Sequence, residues 1–332
     1  MMFIAANARS TRLPVRCLPW VDQMPDLRSR PLRLPDFLGI GPPRTKTTWL
    51  DRMLRGHVGL PRGIKETRFF SHYYDRGLNW YAWHFAECPA DVPVGEFSPS
   101  YFHLPKVKER VAKVLPGCKI ICTLRDPLER LYSSYRQARG LQGGKSFADF
   151  IAHADNTLSA SRYATHLRQW FALFGRDRVI VLFNQDLLEA PQNYFDTVCD
   201  FLAIGRVELS ASAAREKINP SFSVPRSRLL GELSQRIIAQ LQARRIYTVL
   251  DWCKEIRLWR AIRDSGRAHD PVPAEVERHL RQTFRREIDE LEELLNRDLS
   301  LWKQPRPAPP PKLVAPPLHE SLSRTALACR TK

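Results

Sequence analysis

Along the chain, short unbroken apolar runs alternate with stretches whose apolar residues recur every three or four positions. LPDFLGIG at 34–41 is apolar and ends in glycine, as a buried strand does. Beyond it, from Thr45 to about Arg55, Trp49, Leu50, Met53 and Leu54 fall at helical spacing. Strand, turn and helix make the first half of a βαβ unit. Further strands are predicted at Val94–Phe97, Lys119–Leu124 and Val179–Phe183. The last two are apolar almost throughout, as strands covered on both faces are. Helices are predicted at about 128–139, 147–154 and 163–174, and after Pro191, a good first helical residue. This alternation predicts an α/β fold, a central parallel sheet flanked by helices.

The last third has a different texture. Residues 225–262 and 274–299 are rich in Arg, Glu and Leu and read as helices, the second amphipathic through Leu280, Phe284, Ile288, Leu291 and Leu295. From about Lys303 the chain turns Pro-rich, QPRPAPPPKLVAPP, the composition of an extended tail without a packed core. The expected organisation is a basic N-terminal arm at 1–33, one domain at 34–302 with a helical C-terminal portion, and a tail at 303–332.

Charge narrows the partners. The 332 residues carry 52 Lys and Arg against 35 Asp and Glu, a formal net charge of +17. That favours an anionic partner: a phosphorylated nucleotide, an acidic substrate, a nucleic acid or an anionic surface. The seven cysteines are Cys17, Cys88, Cys118, Cys122, Cys199, Cys253 and Cys329, none in a metal-binding or C-x-x-C spacing. Cys118 and Cys122 lie in the apolar run KIICTL and are expected in the core. With no apolar run near the roughly 20 residues a membrane helix needs, and no long apolar stretch before the first arginines, a reducing, cytoplasmic location is expected.

GPPRTKTTWL at 41–50 joins the first strand to the first helix. Backbone N–H groups at a helix start bind anions. Arg44 and Lys46 add charge, and Thr45, Thr47 and Thr48 add hydroxyls. A Thr-capped helix with surface cations would carry the same letters. The segment lacks the second glycine of a Walker A loop, which counts against a Mg-dependent kinase. The second joint, KIICTLRDPLERLYSSYR at 119–136, places Arg125 at a strand end and Ser133 two turns into the next helix. There a guanidinium and a hydroxyl can meet one phosphate.

Together the two segments resemble the nucleotide motifs of sulfotransferases that use 3′-phosphoadenosine-5′-phosphosulfate (PAPS). Gly41, Arg44, Thr45, Thr47, Thr48 and Leu50 match the 5′-phosphosulfate loop. Arg44 stands where many members have lysine, and Lys46 where the family prefers glycine. If that backbone needs a positive φ, lysine is strained there; if it is helical, lysine fits and supplies another cation. Leu124, Arg125, Asp126, Pro127, Glu129, Arg130, Leu131, Ser133 and Tyr135 match the 3′-phosphate motif. The resemblance implies PAPS as co-substrate, a P-loop-like site, Arg44 as a charge clamp that stays protonated, Arg125 and Ser133 on the 3′-phosphate, and no metal. Arg226 and Arg228, in a loop at 219–230 similar to the one that closes over the nucleotide, are further candidates.

Residues 65–85, KETRFFSHYYDRGLNWYAWHF, are similar to the heparan-sulfate branch of the family, and so are GEFSPSYF at 95–102 and the Tyr163, His166, Leu167, Trp170 pattern. That likeness implies Glu66 as the base an attacking hydroxyl needs. His72, His84, His166 and Glu96 are alternatives, and Lys65 and Arg68 read as ion-pair partners of Glu66. The acceptor implied is a hydroxyl or amine, on a small molecule, carbohydrate or glycolipid, with no nucleic acid. The rival readings are a kinase on a related fold and a non-enzymatic binder of anionic polymers.

Overall fold

In the computed structural model, residues 33–61, 64–142, 146–211 and 272–305 are described. The predicted loop at 219–230, with Arg226 and Arg228, the helix at 225–262, most of the N-terminal arm and most of the tail lie outside them.

Among the described residues, four parallel strands form the sheet: β1 (Phe37–Ile40), β2 (Gly95–Phe97), β3 (Lys119–Leu124) and β4 (Val179–Phe183). Their spatial order is β2-β1-β3-β4, with Phe37 level with Gly95 on one side and Lys119 on the other. The strands are apolar on both faces because both are covered. Leu38, Ile40, Ile120, Cys122 and Leu124 point into one core with Trp170 and Ile288. Phe37 and Ile121 point into another with Trp49, Leu50, Phe195 and Val198.

The helices are α1 (Thr47–Leu54), α2 (Gly77–Ala82), α3 (Pro105–Val114), α4 (Pro127–Gln142), α5 (Phe147–Ala152), α6 (Asp155–Ser159), α7 (Tyr163–Phe174), α8 (Asn184–Glu189), α9 (Pro191–Leu202) and α10 (Ala274–Leu295). The helix expected from Thr45 starts at Thr47, because Lys46 adopts a left-handed backbone, φ 70°. The sequence pattern does not predict α2, α3, α6 or α8. α10 buries Leu280, Phe284, Ile288 and Leu291, and the 3₁₀ turn after it sets Trp302 against Tyr163 and Phe183. The C-terminal helix therefore belongs to the same core as the sheet.

The topology also locates a crevice. From β1 the chain moves to β2 on one side, then returns past β1 to β3 on the other. In open α/β sheets ligands bind at the carboxyl ends of the strands where the order reverses in this way. Here that point lies between the ends of β1 and β3, where both motif loops emerge.

Candidate active site

The loop from β1 to α1 is built tightly. Gly41 has φ 135°, and a Cβ there would fall 2.5 Å from the Thr123 carbonyl oxygen, so a side chain has no room. Thr45 is 1% exposed. Its hydroxyl donates to the Pro42 carbonyl at 2.8 Å and lies 2.7 Å from Thr123 Oγ1. That side chain ties the loop to β3 and has its hydroxyl engaged on both sides. Thr47 opens α1, and its Oγ1 accepts a hydrogen bond from Lys65 Nζ at 2.9 Å. Lys65 was expected only to pair with Glu66, yet the fold brings it onto the anion loop. Its ammonium is pushed below the usual lysine range, chiefly by burial, while Glu66 and Asp51 oppose the shift.

At the second joint Asp126 caps α4, accepting from Leu128 N at 2.7 Å and Glu129 N at 3.2 Å. Arg125 pairs with Glu129 at 3.0 Å, and the Tyr163 hydroxyl donates to the Arg125 carbonyl at 2.8 Å. Ser133 is 3% exposed and accepts from Arg44 Nε at 2.9 Å. Those two residues are 89 apart in sequence, so this contact closes the two motifs into one site. The Arg44 guanidinium is lowered from its ordinary range by burial first, then by Arg125 and Arg136. Three guanidiniums converge there, a field that a polyphosphorylated ligand relieves.

Glu66 sits on the same rim, part-exposed, 3.4 Å from Lys65 Nζ and 3.5 Å from Arg68 Nε. Its segment is held from beneath. Thr67 N donates to Glu96 Oε2 at 2.9 Å, and Phe69 and Phe70 are buried. Glu96 is fully buried and accepts from three hydroxyls besides: Tyr81 at 2.8 Å, Ser98 at 2.9 Å and Tyr101 at 3.0 Å. Burial raises its carboxyl above the usual range against the pull of these bonds. With both oxygens doubly engaged, Glu96 has no position for an acceptor's proton; it anchors the strip that carries Glu66. His166 is engaged at both nitrogens, with Lys108 Nζ at 3.1 Å from Nδ1 and the Ser159 carbonyl at 3.0 Å from Nε2. Burial, then Lys108, pushes its pKa down to about 4. His84 Nδ1 lies on the Trp80 carbonyl at 3.0 Å, and His72 is exposed beside Ser71.

Comparison with known proteins decides the family. A family model described as the sulfotransferase domain matches residues 34–219. The chain belongs to the sulfotransferase domain family. It is 32% identical over 197 residues to the Mus musculus bifunctional heparan sulfate N-deacetylase/N-sulfotransferase 3, covering 52% of this chain and 22% of that protein. It is 34% identical over 131 residues to the Dictyostelium discoideum membrane-associated sulfotransferase kil1, covering 38% of this chain and 26% of the relative. The chain thus spans only about a quarter or less of the curated relatives it matches. Among solved structures, a sulfotransferase from Alicyclobacillus acidocaldarius shares the fold, with a TM-score of 0.58 at 20% identity, over 82% of this chain and all of that one.

Within this sulfotransferase domain, the departure at Lys46 now has a physical reading. Lys46 has φ 70° and Arg44 φ 80°, a conformation that costs a non-glycine residue roughly 1–2 kcal/mol. The family's glycine relieves one of these positions. Lysine keeps the strain and adds a cation, and backbone strain of this kind gathers at functional sites. Among the described residues, no helix is long and apolar enough to cross a membrane.

Proposed function

We propose that this domain transfers the sulfuryl group of PAPS to a hydroxyl or amine of a carbohydrate acceptor. The observation that carries the reading is the Arg44–Ser133 contact, which joins a loop suited to a 5′-phosphosulfate with a joint suited to a 3′-phosphate. In this reading the amides at the start of α1, with Thr47, Thr48 and Lys46, receive the phosphosulfate. Arg125 and Ser133 receive the 3′-phosphate, which ATP lacks. Arg44, lying between the two, serves both. Thr45 contributes through the loop it holds rather than through its hydroxyl.

The acceptor's oxygen or nitrogen attacks sulfur as the bond from sulfur to the phosphate oxygen breaks, and the acceptor's proton passes to Glu66. The products are a sulfate ester or sulfamate and 3′-phosphoadenosine-5′-phosphate (PAP). Negative charge moves onto the leaving phosphate, so prearranged cations and amides supply much of the catalysis. Lys65, on Thr47 and beside Glu66, joins Arg44 as a second cation at the place where the charge moves. A carbohydrate acceptor is supported by the similarity to the heparan sulfate N-sulfotransferases and by the +17 charge. The free thiols of Cys88, Cys118, Cys122 and Cys199 support a reducing compartment such as the cytoplasm. The burial of Trp302 supports a catalytic unit running from 34 to about 302. Incubation of the purified protein with sulfur-labelled PAPS and a panel of oligosaccharides, phenols and amines tests the proposal. Labelled oligosaccharide is expected, and absence of label in every acceptor contradicts it.

A further inference from the structure

The stretch after Glu66 carries a buried set of aromatic rings and an outer set, of which Trp80 also packs against the core. Phe69, Phe70 and Tyr81 are buried, with Phe69 stacked on Tyr81 at 4.3 Å. The outer set is a chain of rings, each in contact with the next and tilted against it. Its ring centroids lie 6.4 Å apart from His72 to Tyr73, 5.3 Å from Tyr73 to Trp80, 4.5 Å from Trp80 to His84 and 5.4 Å from His84 to Trp83. Tyr73 is 42% exposed, His72 is exposed, and Trp80, Trp83 and His84 are half-buried.

Both ends of this ribbon lead somewhere. His72 N donates to the Arg68 carbonyl at 2.8 Å, and Arg68 lies 3.5 Å from Glu66, so the ribbon starts one turn from the proposed base. Next to the far end, His84 lines a cleft of about 430 Å³ together with Arg55, His57, Glu87 and Val92. The flanks of the ribbon are polar and exposed: Arg68, Asp75, Arg76 and Asn79.

We propose that Tyr73, Trp80, His84 and Trp83 form an acceptor track on which an acidic oligosaccharide lies, feeding one sugar to Glu66. The proposal rests on the sulfotransferase reading of the donor site. A pyranose ring offers C–H faces that pack on aromatic rings, while its hydroxyls and carboxylates turn outward to polar groups. Flat rings with one polar edge, flanked by arginine and asparagine, match that division. The spacing between successive rings approximates the repeat of one sugar along a chain. A lipid surface instead calls for protruding aliphatic side chains, and Leu78 is the one exposed aliphatic residue in this stretch.

The test compares an unsulfated glucosamine–glucuronic acid disaccharide with the corresponding octasaccharide, both with PAPS. Tyr73→Ala and Trp83→Ala are expected to raise KM for the octasaccharide about tenfold and for the disaccharide less than threefold, with PAP affinity retained as evidence of folding. Trp80 leans on Phe69 at 6.2 Å, so Trp80→Phe is the variant to use there. Equal effects on both acceptors, or none, overturn the track. It is also overturned if the variants keep their saccharide kinetics but lose binding to phosphatidylserine-containing vesicles. If wild-type protein sulfates a phenol but no saccharide, the donor reading stands and the track falls. If it neither binds PAP nor uses PAPS, both fall.

Discussion

The proposed donor and acceptor halves of the site are built on different principles. The donor half consists of two strand–turn–helix joints, β1 to α1 and β3 to α4, emerging from neighbouring strands and locked by Arg44 on Ser133. The acceptor half has no strand of its own between residues 64 and 85. It is a π-helical turn, a 3₁₀ turn and the short α2, pinned by one buried carboxylate, Glu96. A sheet fixes the place where a nucleotide binds, whereas an anchored strip of turns can change its outer side chains while its inner rings and Glu96 stay. The donor half is therefore the part expected to set the chemistry, and the acceptor half the substrate.

The sharpest break between the halves is expected at Glu66. Glu66→Gln keeps the shape and removes the basicity, so kcat should fall by about 10²- to 10⁴-fold while calorimetry shows unchanged PAP affinity. A near-normal rate would move the base elsewhere, with His72, exposed on the same strip, the next to test. Lys65 bridges the halves. Lys65→Met should lower kcat by about 10²-fold, the effect of losing one preorganised donor to developing charge.

The pH profile gives Lys65 its own signature. The protonated form is the useful one, and burial lowers its pKa. The rate is therefore lost as pH rises, at lower pH than for an ordinary lysine. A bound anion favours the ammonium, so the alkaline limb of kcat should lie above that of kcat/KM. Lys65→Arg should remove that limb.

Arg125→Ala falls wholly on the donor side. Loss of a charged hydrogen bond of about 1.5–3 kcal/mol should weaken PAP binding roughly ten- to a hundredfold by calorimetry. AMP, lacking the 3′-phosphate, should bind the variant and wild type alike. Glu96→Gln tests the anchor. An amide cannot accept all four donors, so unfolding should show a loss of about 1–3 kcal/mol, where Glu66→Gln loses almost none. The smallest effect is expected at Lys46. Lys46→Gly should raise stability by about 1 kcal/mol through relief of the positive φ, visible as a higher Tm, with slightly weaker PAPS binding.

The two halves also differed in how far the sequence revealed them. Every sheet strand was legible, because KIICTL and VIVLF have no polar face to confuse their period. Both strand–turn–helix joints were legible too, since glycine, proline and arginine mark where strand gives way to helix. The left-handed turn at Arg44 was not, because nothing local forbids a helix from starting at Thr45; at Lys46 the family's glycine left a positive φ and a helical backbone both open. The expected ion pair of Lys65 with Glu66 is present, but its bond to Thr47 was hidden for a similar reason. Its partner Thr47 is 18 positions away, and only the fold makes them neighbours. Tyr163, His166 and Trp170 were noted as a pattern, and the structure gives them buried work: Tyr163 holds the Arg125 carbonyl, and Trp170 Nε1 donates to the Phe102 carbonyl at 3.0 Å. α3 escaped notice because its buried face is only Val107, Val111 and the Lys108 stem, too little periodicity in ten residues.

The central claim is that the two joints form one site for a nucleotide phosphorylated at both ends. Calorimetric titration of the purified protein with PAP, AMP and ATP, in the absence of Mg, tests it most directly. The account predicts tight binding of PAP and much weaker binding of AMP and ATP. ATP binding as well as PAP or better would contradict it.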